Sequence, residues 1–320
     1  MKPLDYKKQN DLIFKKSKVI KAIRNYFDET GAVEVFTDIL QEYPNLDNNI
    51  YPLKLKAINS SGEEKTYYLH TSPELQMKKL LAKYKTDIYQ ISKVFRNFEG
   101  SKKHKIEFTM LEWYRIGYNL EDLMEDTQNI FIQTAISIYK KPLLHYKRKT
   151  FNLLKSEKIT VDEAFYKFTG IYSEDYPKMI DFLRKKENLK KEIPYEEAFF
   201  RIYAFYVEPN LGKDSLTFIY NYPPQFSAMA KIENGKGKRF EVYINGLELV
   251  NGYFELTDPK EQERRFLEDI KRKHLETGEL YEIDKQFLNT LKYLPDCSGA
   301  SLGVDRLFMV LFDKENIQEI

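Results

Sequence analysis

Residues 239–256, RFEVYINGLELVNGYFEL, set three carboxylates into a segment that otherwise reads as a buried β-hairpin. Asn245-Gly246 between two alternating apolar runs is the strongest short-range hairpin signal a sequence carries. A two-residue turn pairs Ile244 with Leu247, Tyr243 with Glu248, Val242 with Leu249 and Glu241 with Val250. Side chains alternate along a strand, so Glu241, Tyr243 and Glu248 share one face, and Val242, Ile244, Leu247 and Leu249 share the other. Glu241 and Glu248 become diagonal neighbours, roughly 7 Å apart. Carboxylates so placed repel unless a cation lies between them. An oxygen-only ligand set suits Mg²⁺, which is commonly held by one or two carboxylates plus substrate phosphates. A solvated outer face with ordinary strand glutamates explains the same pattern equally well. Glu255 completes the series and, among apolar neighbours, also needs a positive partner.

The 320 residues suffice for one large domain or two. With 51 basic and 49 acidic residues, the net charge of +2 lacks the footprint of an extended nucleic-acid binder. A single cysteine, Cys297, rules out an internal disulfide framework and fits a reducing compartment. MKPLDYKKQNDLIFKK has no apolar signal core, and no long apolar run follows, so a soluble cytoplasmic protein is expected. His70, His104, His145 and His274 are too scattered for a metal-ligand motif.

Along the chain, Val19, Ile20, Ile23, Tyr26 and Phe27 are spaced for one helix face that stops at Gly31, and AVEVF follows as a strand. TSPELQMKKLLAKYK predicts a helix with Ser72 as N-cap and Pro73 in its first turn. DIYQISKVFRN and IEFTMLEWYRI predict strands around the polar loop FEGSKKHK. Asn119 predicts a helix start, and residues 142–200 read as a helical insertion. Asp258-Pro259 opens a long charged helix, and PDCSGASLGVDRLFMVLF reads as a glycine-bearing turn into an apolar helix. Helices outside a mostly antiparallel sheet give an α+β architecture.

Three further groupings carry chemistry. Arg96 stands at a strand end beside a basic loop, where a guanidinium can grip phosphate; the loop lysines fit a solvated hairpin tip as well. On the next strand Phe108, Met110, Glu112 and Tyr114 share a face, offering a stacking ring, an acceptor and a hydroxyl. Arg306 lies in the first turn of a helix, beside free backbone N–H groups that suit an anion. Neither GxxxxGK[ST] nor GxGxxG occurs.

VFRN, a loop and HKIEFTMLEWY together resemble motif 2 of class II aminoacyl-tRNA synthetases, and GASLGVDRL resembles motif 3. ELVNGYFEL is similar to the intervening segment of the lysine-type subgroup. The resemblance implies a class II catalytic domain, an antiparallel sheet flanked by helices, working as a homodimer. It implies an ATP site of Arg96, Asn97, Phe98, His104, Lys105, Phe108, Glu248, Leu249, Gly303 and Arg306, with Arg96 and Arg306 on the reacting phosphates. It implies Mg²⁺ on Glu241 and Glu248. It implies an amino-acid pocket of Ser72, Pro73, Glu74, Glu112, Tyr114, Asn251, Glu255 and Ser301, whose acids suit a substrate with two ammonium groups.

A motif-1-like GAVEVFTDIL begins at residue 31, so an anticodon-binding domain ahead of it is not expected. TSPELQMKKLL, VEPNLGK and PDCSGASLGVDRL then resemble the family of elongation factor P–(R)-β-lysine ligases, which activate (R)-β-lysine and transfer it to a lysine of elongation factor P. This implies a protein acceptor rather than tRNA. A truncated lysyl-tRNA synthetase-like enzyme and a non-catalytic binding paralogue are the competing readings. Four positions depart from the family patterns. Ser301 stands where synthetases have glycine, Phe98 where motif 2 has glutamate, Asp38 where motif 1 has proline, and Lys105 where the ligases tend to have asparagine.

Overall fold

A computed structural model describes residues 6–47 and 49–320. The elements follow in order α1 (Tyr6–Glu29), β1 (Val33–Glu34), β2 (Leu40–Gln41), β3 (Leu53–Ile58), β4 (Glu64–Leu69), α2 (Glu74–Tyr84), β5 (Ile88–Phe95) and β6 (Glu107–Ile116). Next come α3 (Leu120–Tyr139), β7 (Leu143–Tyr146), β8 (Lys149–Asn152), β9 (Ser156–Thr160), α4 (Val161–Thr169), α5 (Tyr176–Glu187) and α6 (Tyr195–Ile202). Last are β10 (Leu216–Tyr222), β11 (Ile232–Glu233), β12 (Lys236–Ile244), β13 (Leu247–Phe254), α7 (Pro259–Thr277), α8 (Lys285–Leu291), β14 (Cys297–Gly303) and α9 (Val304–Leu311).

The main sheet runs β1-β5-β6-β14-β13-β12-β10-β9, with β11 beside β12. It is antiparallel except at its ends, where β1 pairs with β5 and β9 with β10 in parallel. The α+β expectation holds. One face carries the main core: Leu111, Trp113, Phe240, Val242 and Leu302 pack with Val19, Phe27, Phe131 and Leu307 from α1, α3 and α9. Two smaller clusters cover the ends of the opposite face. Phe165, Met179 and Phe199 of α4–α6 gather with Ile219, and Leu81, Phe266 and Phe287 of α2, α7 and α8 with Ile88. The middle of that face, on β6, β14, β13 and β12, is left for a cavity. Among the described residues no helix is long and apolar enough to cross a membrane.

Several elements differ from the sequence reading. AVEVF contributes only the two residues of β1. Pro73, not Ser72, is the N-cap of α2; the Ser72 hydroxyl accepts from Glu74 N at 3.0 Å and is otherwise engaged. Residues 142–200 begin with the β7–β8 hairpin, and β9 joins the main sheet before the helices start. CSGASLG is the central strand β14, not a turn. Its small residues suit close packing: a Cβ on Gly299 would lie 2.3 Å from the Tyr114 ring.

The β12–β13 turn forms at Asn245-Gly246 with both φ positive, 49° and 70°. Pairing begins as expected, Ile244 with Leu247 and Tyr243 with Glu248, and then shifts. Val242 faces Val250 and Glu241 faces Asn251, because Leu249 and Val250 both point into the core. This β-bulge changes the parity of β13. Without it, Asn251, Tyr253 and Glu255 would lie on the face opposite Glu248.

Candidate active site

A cavity of about 350 Å³ lies on the open face of the sheet. Ser72, Glu74, Arg96, Glu112, Tyr114, Asn251, Glu255 and Ser301 all line it. They come from the start of α2 and from β5's end, β6, β13 and β14; Arg96, Glu112, Tyr114 and Glu255 stood out in the sequence itself, the others through the resemblance.

Glu112 is 3% exposed, accepting from Ser72 Oγ and from Tyr114 Oη, both at 2.6 Å. Burial first, and then Glu74, push its carboxyl up to about 8. Glu74 and Glu255 share one cation that the sequence reading missed. Lys78, fully buried, has its ammonium 2.6 Å from Glu74 and 2.5 Å from Glu255. The positive charge expected from a substrate at Glu255 is therefore supplied by α2. Lys78 is four residues past Glu74 on the same helix face, a spacing that was readable. The balance still falls short: three buried carboxylates face one lysine. Burial pushes Glu255 up to about 8, with Lys78 opposing and Glu74 adding. Such a cluster is made whole by a proton or by a bound cation.

Arg96 lies next to this cluster, just past β5. Its Nε donates to Thr71 O at 3.4 Å, and its guanidinium stands 5.2 Å from the Phe108 ring centre. Among the described residues no carboxylate pairs with it, so it is available to an anion.

Beyond Arg96, three residues knit the polar loop to the sheet. Arg306, the third residue of α9, donates to Glu248 O at 2.8 Å, to Lys103 O at 3.2 Å and to His104 Nε2 at 2.5 Å. With Nε2 accepting, His104 Nδ1 carries the proton toward Ser101 Oγ at 2.9 Å. Burial and Arg306 hold the ring below its usual pKa, so it is neutral near pH 7. Glu241 is buried and bound by Arg239, by Tyr243 Oη at 2.6 Å and by Tyr203 Oη at 3.1 Å. Arg239, two residues away on the same face, was also missed. Glu248 is more open, with Arg306 Nη1 3.6 Å from its carboxylate, and burial plus Glu241 raise its proton affinity. Glu208 joins them: burial, Glu248 and Glu241 push it up to about 7. It lies in VEPNLGK, a motif noted in the sequence without a role for this residue.

The remaining predicted residues separate. Asn97 accepts from Phe98 N at 3.0 Å, and Phe98 itself is 78% exposed in a left-handed conformation. Lys105 is drawn to Asp305 at 3.4 Å. The Leu249 side chain is buried in the main core, so only its backbone is left for a nucleotide. Pro73 is the α2 cap, and Gly303 caps α9 next to Arg306.

The model of the family of class II tRNA synthetases (D, K and N) matches residues 3–320. The chain belongs to that family. An elongation factor P–(R)-β-lysine ligase homolog of Aquifex aeolicus is 38% identical over 300 residues, 93% of this chain and 94% of its own length. The elongation factor P–(R)-β-lysine ligase of Avibacterium paragallinarum is 36% identical over 317 residues, 96% of this chain and 93% of its own. That of Pectobacterium carotovorum is 32% identical over 313 residues, with 96% and 93% covered. Membership of the class II synthetase family implies use of ATP. The site has two chemically different ends: an acid-lined pocket, and two arginines with an acidic pair.

Proposed function

We propose that this protein activates (R)-β-lysine with ATP as the adenylate and transfers it to a lysine side chain of elongation factor P, in the cytoplasm. The observation that carries the substrate class is the charge deficit at Glu74, Glu112 and Glu255 beside the unpaired Arg96. A molecule with two ammonium groups and one carboxylate answers both at once. The relatives' names support the choice of β-lysine and of the acceptor.

The substrate carboxylate attacks the α-phosphorus, pyrophosphate leaves, and the acceptor amine then displaces AMP. Arg96 would hold carboxylate and phosphate together, and Phe108 would offer its ring to adenine. Arg306 would donate to the outer phosphates, with neutral His104 beside it. The chain contributes positioning and charge neutralisation, with no covalent nucleophile. Glu248, open and short of a cation, is the carboxylate that fits Mg²⁺; Glu241, expected to share the ion, is instead tied to Arg239, Tyr243 and Tyr203. When bound, the ion would neutralise charge on the phosphates. The homodimer is part of the proposal, supported by the exposed apolar side chains Val33, Phe36, Ile39 and Leu40 of the motif-1-like segment.

Pyrophosphate exchange with a panel of amino acids tests the reading. Preference for (R)-β-lysine, followed by its appearance on elongation factor P, is expected. Preference for L-lysine with transfer to tRNA would replace the proposal by a synthetase-like enzyme. Absence of exchange would leave a binding module.

A further inference from the structure

The cavity has a second acidic wall, formed by α7 and the loop before β3, that activation of the amino acid does not use. Gln262, Phe266 and Asp269 stand on one face of α7, spaced four and seven residues from the first, and all line the cavity. Asp47 lines it from the loop before β3. Apart from Arg96, which the substrate carboxylate and phosphate would engage, the cations nearby are committed elsewhere. Arg272 donates to Glu196 at 2.9 Å, Arg264 is held by Glu261 and Glu268, and the Lys273 ammonium donates to Ile50 O. Among the described residues no hydrogen bond or ion pair reaches the carboxylate of Asp47 or Asp269. Gln262 adds an independent sign: it is 1% exposed, and its Oε1 accepts no hydrogen bond. A buried acceptor left open costs free energy until a donor arrives.

We propose that Asp269, Asp47 and the Gln262 carbonyl form a subsite for the side-chain ammonium of the acceptor lysine, an inference that rests on the function proposed above. The needs match. An alkylammonium is a compact cation with three donors on a flexible stem, and this wall offers two carboxylates and an open amide carbonyl as acceptors. The position matches too. Asp47 is the carboxylate that acts most strongly on both Arg96 and Asp269, so the subsite adjoins the group that would hold the substrate carboxyl. Burial and Asp47 push Asp269 up to about 7, against Arg272 and Lys273 and with Glu268 adding, so its ionised form lacks a partner.

The test separates the two half-reactions in the full-length protein. Pyrophosphate exchange with (R)-β-lysine and transfer of labelled β-lysine to purified elongation factor P are measured for wild type and Asp269→Asn. Exchange within threefold of wild type, with KM for the acceptor raised about tenfold or more, is expected. Unchanged transfer would overturn the subsite, as would parallel loss of exchange and transfer in a folded variant. Gln262→Met keeps the volume and helix while removing the carbonyl, and decides the matter should Asp269→Asn not fold; it is expected to raise the same KM, and an unchanged KM overturns the subsite. A wild type that exchanges β-lysine but modifies no protein lysine would instead remove the proposed function, and the subsite with it.

Discussion

Glu248 is a carboxylate that has been left short of charge. Its nearest cation is Arg306 at 3.6 Å, and Glu241, which would otherwise share a counter-ion with it, is already tied to Arg239. Glu248→Gln is therefore expected to lower adenylate formation about 10²–10³-fold, a size typical of losing one preorganised electrostatic group. The variant should keep the wild-type circular dichroism, because the Arg306 bond goes to the Glu248 carbonyl. Undiminished exchange would remove Glu248 from the phosphate end. At the other end, Glu112→Gln is expected to lower kcat/KM for the amino acid at least about 30-fold, the cost of leaving a buried ammonium unpaired. Acidity gives a sharper check. Glu112 and Glu255 are pushed up to about 8 in the free protein, so lowering pH through 8 protonates groups that must be ionised to hold an ammonium. Amino-acid kcat/KM should fall as pH falls below about 8. Stability runs the other way. The folded state holds more protons than the unfolded one between the ordinary carboxyl value of 4.5 and 8, so ligand-free stability should decline as pH rises through that window. A stability that instead rises there would contradict the buried-acid reading.

Among the elements, α1, β6 and α3 are clamped by a polar knot that has no part in the site. Arg115, fully buried, donates to Asp126 at 3.0 Å, as does Trp113 Nε1, and Tyr26 of α1 adds its hydroxyl. Asp126→Ala would leave the guanidinium with Asp87 at 3.4 Å and Thr30 alone, at a cost of about 3 kcal/mol. Urea unfolding should show that loss with an unchanged slope. Repeats and periodicity did not point to this knot, since Arg115 and Asp126 lie on elements whose packing only the fold reveals. The β12–β13 hairpin shows the opposite balance. Its turn and the first two pairs were legible at Asn245-Gly246, yet Leu249 breaks the alternation. Two neighbouring apolar residues, Leu249 and Val250, could each have taken the core face, and the packing of both against the main core decides it.

For the whole molecule, ligand and fold are coupled by mass action. The cavity concentrates carboxylates that repel in the empty protein, so a diammonium substrate should stabilise it well beyond a neutral analogue. At a hundred times its Kd, a ligand specific for the folded state adds about 2.7 kcal/mol. Differential scanning calorimetry should show a rise in Tm of several degrees with (R)-β-lysine and ATP, and little with ATP and leucine. Equal shifts for the two amino acids would deny the acid pocket its selectivity.

The sequence by itself determined the α+β class, the strands β5, β6, β12 and β13, the face of β6 that carries Glu112 and Tyr114, and the residues named for the amino-acid end that, Pro73 aside, line one cavity with Arg96. These rest on local rules, side-chain alternation and turn chemistry, and on motifs long enough to be specific. Only the tertiary structure decided who neutralises whom. Lys78 reaches Glu255 across 177 positions of chain, Arg239 takes Glu241, and Asp47 meets Asp269 on a wall that no short stretch announces. Charge pairing depends on distance in space and on burial, and neither is written in the spacing of residues along a strand.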